Sequence, residues 1–460
     1  MQLKEFFKNI FKSGAKPLTE GNIPIQLTQF AIPFMAANFL QALYGAADMI
    51  IVGQFTDAAG LSAVAIGSQF VFMINSVVIG LAIGGSIIIG QLYGAGEYEE
   101  IKGTIGTMLT LFGIMSLAIM LILPLFMDGI VTLLGTPQAA FSAAKGYITI
   151  NMIGISTMFA YNALAAIFRG FGDSTSPLIF VGVACAANIV GDLLLVGFFK
   201  MGAQGAALAT VLAQGLSAVL SVIYAKRADY KFDFKLSSMR IERGKLKRLM
   251  RIGLPMGVQF SLTSISFMFI MATVSRMGGV VASAAVGITS KVNGFTMLPP
   301  MSFCGAISGM VAQNIGARKP GRARLTMLWG TAISVCFGIA TFILLFFFPH
   351  PVIRIFTPDS TLIDATSRYL RSFSIDCVLV CLFFCMNGFF NGCGKTSYTM
   401  LNNAVSAFMV RVPATWILSS VHGASLFTIG FAAPIATAEA ILCHILYFKS
   451  GRWRNKKGVI

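Results

Sequence analysis

Residues 26–55 read QLTQFAIPFMAANFLQALYGAADMIIVGQF, a run with one acidic side chain, Asp48, and no lysine or arginine. It exceeds the roughly 20 apolar residues that carry an α-helix across the hydrocarbon core of a bilayer. Apolar residues do not alternate with polar ones, so it reads as helix and not as barrel strand. It is also too long for the apolar core of a cleavable signal, although a basic segment (Lys4, Lys8, Lys12, Lys16) precedes it. It therefore reads as a first transmembrane span.

The pattern recurs along the chain. Twelve candidate spans lie near 26–55, 61–93, 104–134, 142–168, 177–199, 203–225, 250–277, 280–315, 325–349, 363–391, 398–420 and 424–448. Several exceed the crossing length, so tilt or kinks are expected, with Pro33 and Pro299-Pro300 as candidate kinks. Of the 460 residues, 56% are hydrophobic and 11% charged, and mean hydropathy is +0.80. A soluble domain carries roughly 25% charged residues. Halving that share removes the polar surface a globule in water needs, so the fold class is an all-α integral membrane protein.

The net charge of +17 could point to nucleic acid, but its distribution argues otherwise. Lys and Arg cluster in short segments between the apolar runs, and no aromatic-interleaved basic patch interrupts them. Counted by alternate loops, 26 fall on the side of the two termini and six (Lys145, Lys200, Arg276, Arg354, Arg368, Arg371) on the other. The positive-inside bias then places both termini in the cytoplasm of a cell with the protein in its inner (plasma) membrane. Eight cysteines fall mostly inside apolar runs; Cys377, Cys381 and Cys385 share one helix face, where disulfides are geometrically poor and small soft side chains pack between helices.

The chain repeats itself at an offset of 222. Pro33 falls on Pro255, and Gln91-Leu92-Tyr93-Gly94-Ala95 on Gln313-Asn314-Ile315-Gly316-Ala317. Tyr147 falls on Tyr369, and Arg169-Gly170-Phe171-Gly172 on Asn391-Gly392-Cys393-Gly394. Each repeat holds six spans, so the halves share one orientation and suit alternating access at a site between them. The expected organisation is a segment 1–22, an N-lobe 23–227, an inter-lobe loop 228–248, a C-lobe 249–449 and a tail 450–460.

Ionisable groups at bilayer depth cost about 2.5–3.5 kcal/mol each on insertion scales and are functional by default. Asn38, Gln41, Tyr44 and Asp48 form one stripe on the first span. Asn188 and Asp192 share a face of the fifth. A carboxylate beside a carboxamide can hold a proton or a small hard cation through oxygen ligands. The competing reading is that each acid is capped by hydrogen bonds and only fixes helix packing. At the 222 offset Asp48 maps to Ile270, Asn188 to Val410 and Asp192 to Ala414, so any ion-linked chemistry belongs to the first half. Lys291 and Arg411 are expected near span ends, Glu439 in an ion pair with a basic group, and Asp376 in a solvated outer vestibule.

Enzyme signatures are missing. There is no Walker A sequence and no His-Glu-x-x-His, and His350, His422 and His444 are scattered. Gly80 to Gly90 is glycine-rich within a span, which close helix packing explains.

Five stretches carry a family resemblance. They are Ala47-Asp48-Met49-Ile50-Ile51-Val52-Gly53, Gly90-Gln91-Leu92-Tyr93-Gly94-Ala95-Gly96, Phe168-Arg169-Gly170-Phe171-Gly172-Asp173-Ser174, Asn188-Ile189-Val190-Gly191-Asp192 and Gly205-Ala206-Ala207-Leu208-Ala209-Thr210. In order and in a twelve-span frame, they resemble the multidrug and toxic compound extrusion (MATE) family. That family lies within the wider group that includes lipid-linked oligosaccharide flippases. The resemblance implies twelve transmembrane helices in two pseudo-symmetric six-helix lobes. It implies a secondary active multidrug exporter for cationic or amphipathic small molecules, driven by H+ or Na+ and tied to antibiotic resistance. No other cofactor and no nucleic-acid partner is implied; membrane lipids surround a monomer. By the same resemblance Asp48, Asn188, Asp192, Thr210 and Tyr44 form the proton or Na+ coupling site, and Pro33 is a bending proline. Gln41, Asn38, Asn162 and Gln259 are expected to line the substrate cleft. The seventh span reads Gln259-Phe260-Ser261-Leu262-Thr263-Ser264, with no acid, which favours the bacterial DinF-like branch. The alternatives are a lipid-precursor flippase, which needs a strongly cationic cavity, and a membrane enzyme, which needs a metal or nucleophile constellation that is not found.

Overall fold

The computed structural model describes residues 17–227, 238–420 and 425–454; within 260–280, the side chains at 260, 261, 263, 264, 267, 268, 272 and 275–280 lie outside the description. Most of the expected segment 1–22, part of the inter-lobe loop 228–248 and the end of the tail 450–460 therefore fall outside it, as does His422.

The described chain is helical, with no strand. In order, the helices of the first half are α1 Ile23–Phe55, α2 Ala58–Ala95, α3 Tyr98–Ile122, α4 Met127–Leu133, α5 Phe141–Ile153, α6 Ile155–Gly170, α7 Thr175–Asp192 and α8 Gly202–Arg227. There follow α9 Arg243–Thr296, α10 Leu298–Gly316, α11 Pro320–Phe347, α12 Pro349–Arg354, α13 Ser360–Ser374 and α14 Asp376–Gly392. The last are α15 Thr396–Ala404, α16 Val412–Ser420, α17 Leu426–Ile429 and α18 Ala432–Lys449. Two wider π-helical segments interrupt this order, Leu193–Phe198 after α7 and Val405–Arg411 between α15 and α16. Among the described residues eight helices are long and apolar enough to cross a membrane, and ten if each bent pair counts as one span.

The sequence repeat reappears as repeated hydrogen bonds. The helix α2 ends when Gly96 turns left-handed at φ 77, with Gly96 N–H on Tyr93 O (3.2 Å) and Glu97 N–H on Leu92 O (3.0 Å). At the 222 offset Arg318 turns left-handed at φ 58, with Arg318 N–H on Ile315 O (3.1 Å) and Lys319 N–H on Asn314 O (2.8 Å). Gly172 and Gly394, φ 83 and 76, close α6 and α14 in the same way: Asp173 N–H reaches Phe168 O and Lys395 N–H reaches Phe390 O, each at 2.9 Å. These are Schellman-type C-caps, which satisfy orphan carbonyls at a helix end. The landmarks that align between the halves are thus helix stops. The bends repeat too: α5 and α6 meet at 49° around Gly154, and α13 and α14 at 41° around Ile375, whose neighbour Asp376 is the mate of Gly154.

Two expectations about spans need correction. The gap expected between 277 and 280 is helical, because no proline or polar turn stops α9 there. The interruption comes later, at Met297, and Pro299-Pro300 open α10 instead of kinking a helix interior. In a first turn the missing proline N–H had no partner to lose. Pro33 lies inside α1, which stays helical from Ile23 to Phe55.

Contacts divide the chain into two units, one gathering Ile32–Gly257 and the other Thr19–Ala31 with Val258 onward. The lobes expected at 23–227 and 249–449 therefore trade the opening turns of α1 and α9, and the exchange falls beside Pro33 and Pro255. Small residues hold the first exchange. A methyl group added to Gly84 would strike the Gly253 backbone, and one added to Gly80 the Gly257 backbone. Backbones this close are the packing that membrane helices achieve through glycine. In the second unit the Arg322 guanidinium donates to Gly21 O, Glu20 O and Gln26 Oε1, each at 2.8 Å.

Candidate functional site

The site is assembled inside the first unit from α1, α5, α7 and α8. On α1, Asp48 points inward and is 6% exposed. Asn188 and Asp192, one turn apart near the end of α7, are both 0% exposed. Gly191 lets α7 approach α8 at Ala209, next to Thr210, and Asn188 Nδ2 donates to Thr210 Oγ1 at 3.5 Å. The π-helical turn Leu193–Phe198 starts directly after Asp192. Such widened turns leave backbone carbonyls less tightly bound and recur at functional sites.

Asp48 and Asp192 lie within hydrogen-bonding reach of each other. As two carboxylates neither can donate. Asp48 Oδ1, both oxygens of Asp192 and Asn188 Oδ1 accordingly have no hydrogen-bond partner among the described residues. The reading in which the acids are capped would need donors to these oxygens, and none is found among the described residues. A buried carboxylate without a partner is costly, and a second beside it more so. Two remedies exist: a proton shared between the acids, or a small hard cation on the oxygens of Asp48, Asp192, Asn188 and Thr210. The donor set fits both.

Two tyrosines complete the cluster. The Tyr44 ring is half-buried, but its hydroxyl is closed off beside Thr210 and within electrostatic reach of Asp48 and Asp192. Tyr147, from α5, reaches the same two acids, with Asn151 a turn behind it. Its ring rests where Gly67 of α2 has no side chain; any Cβ there would strike it. Sequence reasoning used Tyr147 only as a repeat landmark and missed both Tyr147 and Asn151. The available signal was a polar pair at i, i+4 inside the fourth span.

Gln41 lines a small cavity with Tyr44 of the acid cluster and with Tyr161, Cys185 and Gln214. Asn38 is half-buried, and Asn162 Nδ2 donates to Asn75 Oδ1 at 3.2 Å. Gln259 belongs to the second unit. Of the other ionisable groups, Lys291 is exposed, and Glu439 accepts from the Cys443 thiol at 3.1 Å, with no ion pair to a basic group among the described residues. Asp376, expected in a solvated vestibule, is 3% exposed at the α13–α14 bend. The bend turns its side chain into the protein, which linear distance from a loop did not foretell. Asp173, in one of the resembling stretches, is structural: its carboxylate accepts from Thr175 N, Ser176 N, Ser176 Oγ (2.6 Å) and Tyr224 Oη (3.1 Å) at the start of α7.

The MatE family profile matches twice, over 33–194 and 255–417, one match per repeat. The chain belongs to the MatE family. Relatives of this MatE protein span its length. It is 26% identical over 444 residues (96% of this chain, 98% of the other) to the probable multidrug resistance protein YpnP of Bacillus subtilis. It is 25% identical over 459 residues (98% and 96%) to the probable multidrug resistance protein NorM of Thermotoga maritima. A solved structure of a MOP superfamily transporter from Pyrococcus furiosus superposes with a TM-score of 0.89 at 21% identity, covering 96% of this chain and all of that one. The fold is therefore that of the MATE transporters: all-α, twelve spans, two six-span halves.

Proposed function

We propose that this MatE protein is a secondary active multidrug exporter in the plasma membrane that antiports cationic or amphipathic small molecules against H+ or Na+. The carrying observation is the Asp48–Asp192 pair, buried in the first unit with orphan oxygens on both acids. Loading and unloading a cation there changes the charge of a buried site by one unit. That changes how well each conformation of the lobe is tolerated, which is what coupling requires. Asn188, Thr210, Tyr44 and Tyr147 shape the site; both termini lie in the cytoplasm, and the protein acts as a monomer. The substrate class rests on relatives named as multidrug resistance proteins. The lipid-precursor flippase is disfavoured because it needs a strongly cationic cavity, and the spans offer only Lys291 and Arg411 as candidates for that charge.

The deciding experiment is efflux of a cationic dye from proteoliposomes under a pH gradient and, separately, a Na+ gradient. One gradient drives export in the native protein. Asp48→Asn and Asp192→Asn abolish that response while dye binding persists. Full gradient-driven export in both variants would remove the coupling site.

A further inference from the structure

Four exposed cations gather at one end of the second unit, where the apolar stripes of two spans stop. On α11 the exposed face runs Arg324, Leu325, Leu328 and Trp329; on α18 it runs Leu442, Ile445, Leu446 and Lys449. Steps of three and four keep each set on one helix face. Exposed apolar side chains on a span meet lipid tails, and α11, at 28 residues, is longer than the hydrocarbon core is thick. Each stripe therefore ends on a cation at headgroup depth. The two ends are neighbours: the Arg324 guanidinium lies over the Phe448 ring, 5.4 Å from its centre. The tail brings the other two cations. Gly451 turns left-handed at φ 68, which folds the chain back after α18. Trp453 is then 3% exposed, stacked on Phe448 (5.5 Å, 10°) and edge-on to Phe389 (5.0 Å). Its indole N–H donates to Phe448 O at 3.1 Å, one of the orphan carbonyls at the helix end. With Trp453 plugged in, Arg452 and Arg454 are held on either side of it, both exposed.

We propose that Arg324, Lys449, Arg452 and Arg454 form a binding site for the headgroup of an anionic phospholipid in the leaflet on that side. None of the four has an ion pair among the described residues. The matching place in the first unit is built differently. Lys102, the repeat mate of Arg324, is answered by Glu99 on its own helix at 2.7 Å. At the 222 offset Glu97 and Glu100 become Lys319 and Arg322, so residues 318–324 at the opening of α11 contain no acid. A phosphodiester provides the negative charge that the chain itself does not. The planar donors of arginine match phosphate oxygens, and a cluster of this size at span ends attracts anionic lipid. A lipid also lays its acyl chains along the two stripes, a contact that a free phosphate ion cannot make. The site uses none of the acid pair, so it stands or falls independently of ion coupling.

The test reads lipid selectivity beside α11 by tryptophan quenching. Full-length protein carrying Trp416→Phe is placed in mixed bilayers of phosphatidylglycerol and phosphatidylcholine, with one lipid brominated at a time. Quenching then reports which lipid lies against Trp329, which is exposed on the α11 stripe, while Trp453 is buried. Phosphatidylglycerol should be preferred by roughly 10-fold or more, and raised salt should weaken the preference. Arg324→Gln/Lys449→Gln should lower it by roughly 5-fold or more. Trp453→Ala and Arg452→Gln/Arg454→Gln should each lower it by a similar factor, because both take away the tail cations. If Trp453→Ala does not yield folded protein, the double arginine variant alone tests the tail. Lys102→Gln, in the first unit, should leave the preference unchanged. Equal quenching by the two lipids overturns the proposal. So does an equal loss in Lys102→Gln and Arg324→Gln, which would make the attraction a property of total charge. Loss of the preference in excess inorganic phosphate would make the occupant a free anion and overturn the lipid assignment.

Discussion

Asp48 of α1 and Asp192 of α7 reach each other inside the first unit as two carboxylates with no donor between them. A native contact of this kind is stable only when something positive joins it, and the four orphan oxygens around it mark where. Because each acid alone leaves the site incomplete, the two do not act independently. Asp48→Asn and Asp192→Asn should each cut gradient-driven efflux by roughly 100-fold or more, and the double variant should be scarcely worse, as for groups acting as one unit. Initial rates in proteoliposomes check this; additive losses would count against a shared site.

Protons and Na+ should compete. The same oxygens serve both, so a bound proton removes a ligand and the attraction for a metal ion at once. Na+ should raise the unfolding midpoint of the native protein more at pH 8 than at pH 6, and Asp192→Asn should abolish the difference. Equal protection at both pH values would separate the proton site from the metal site.

Tyr147→Phe tests the residue that the tertiary structure added. Losing the hydroxyl removes a polar neighbour of both acids but keeps the ring on Gly67. The unfolding midpoint should change by little, while the Na+ or pH at half-maximal efflux shifts several-fold. An unchanged ion dependence would reduce Tyr147 to packing.

Pro33 sits in the interior of α1, where proline removes one helical hydrogen bond and costs up to ~3 kcal/mol in a soluble helix. Pro33→Ala should therefore raise thermal stability and lower the turnover of efflux, since a straighter α1 resists the bending the family resemblance assigns to it. A faster exporter would contradict that role.

Glycine substitutions separate close packing from mere flexibility. Gly84→Ala places a methyl group against the Gly253 backbone and should destabilise by about 1–3 kcal/mol. Gly113, on an exposed face of α3 with nothing within 4 Å, should accept alanine with a gain of roughly 0.5–1 kcal/mol. Chemical or thermal unfolding of the two variants side by side measures the contrast.

Much of this protein is legible without coordinates. Bilayer physics demands long apolar helices, and hydropathy is a local property, so the spans emerge from composition and run length. The 222-residue offset survives because Schellman turns need particular residues at helix ends; Gly172 and Gly394 persist for that reason. Asp48, Asn188 and Asp192 were also readable, since carboxylates and carboxamides in apolar spans are rare enough to stand out singly, whereas Thr210 came only through the family resemblance. Contacts between helices are a different matter. That Tyr147 joins the acids and that Asp376 is turned inward depends on bends at Gly154 and Ile375. The pairing of Asn162 with Asn75 across two spans depends likewise on how far each helix is rotated. Rotation and bending are set by side chains many residues apart in sequence meeting across an interface, such as Gly67 under Tyr147 or Gly84 against Gly253. No local pattern encodes those meetings, and only the tertiary structure decides them.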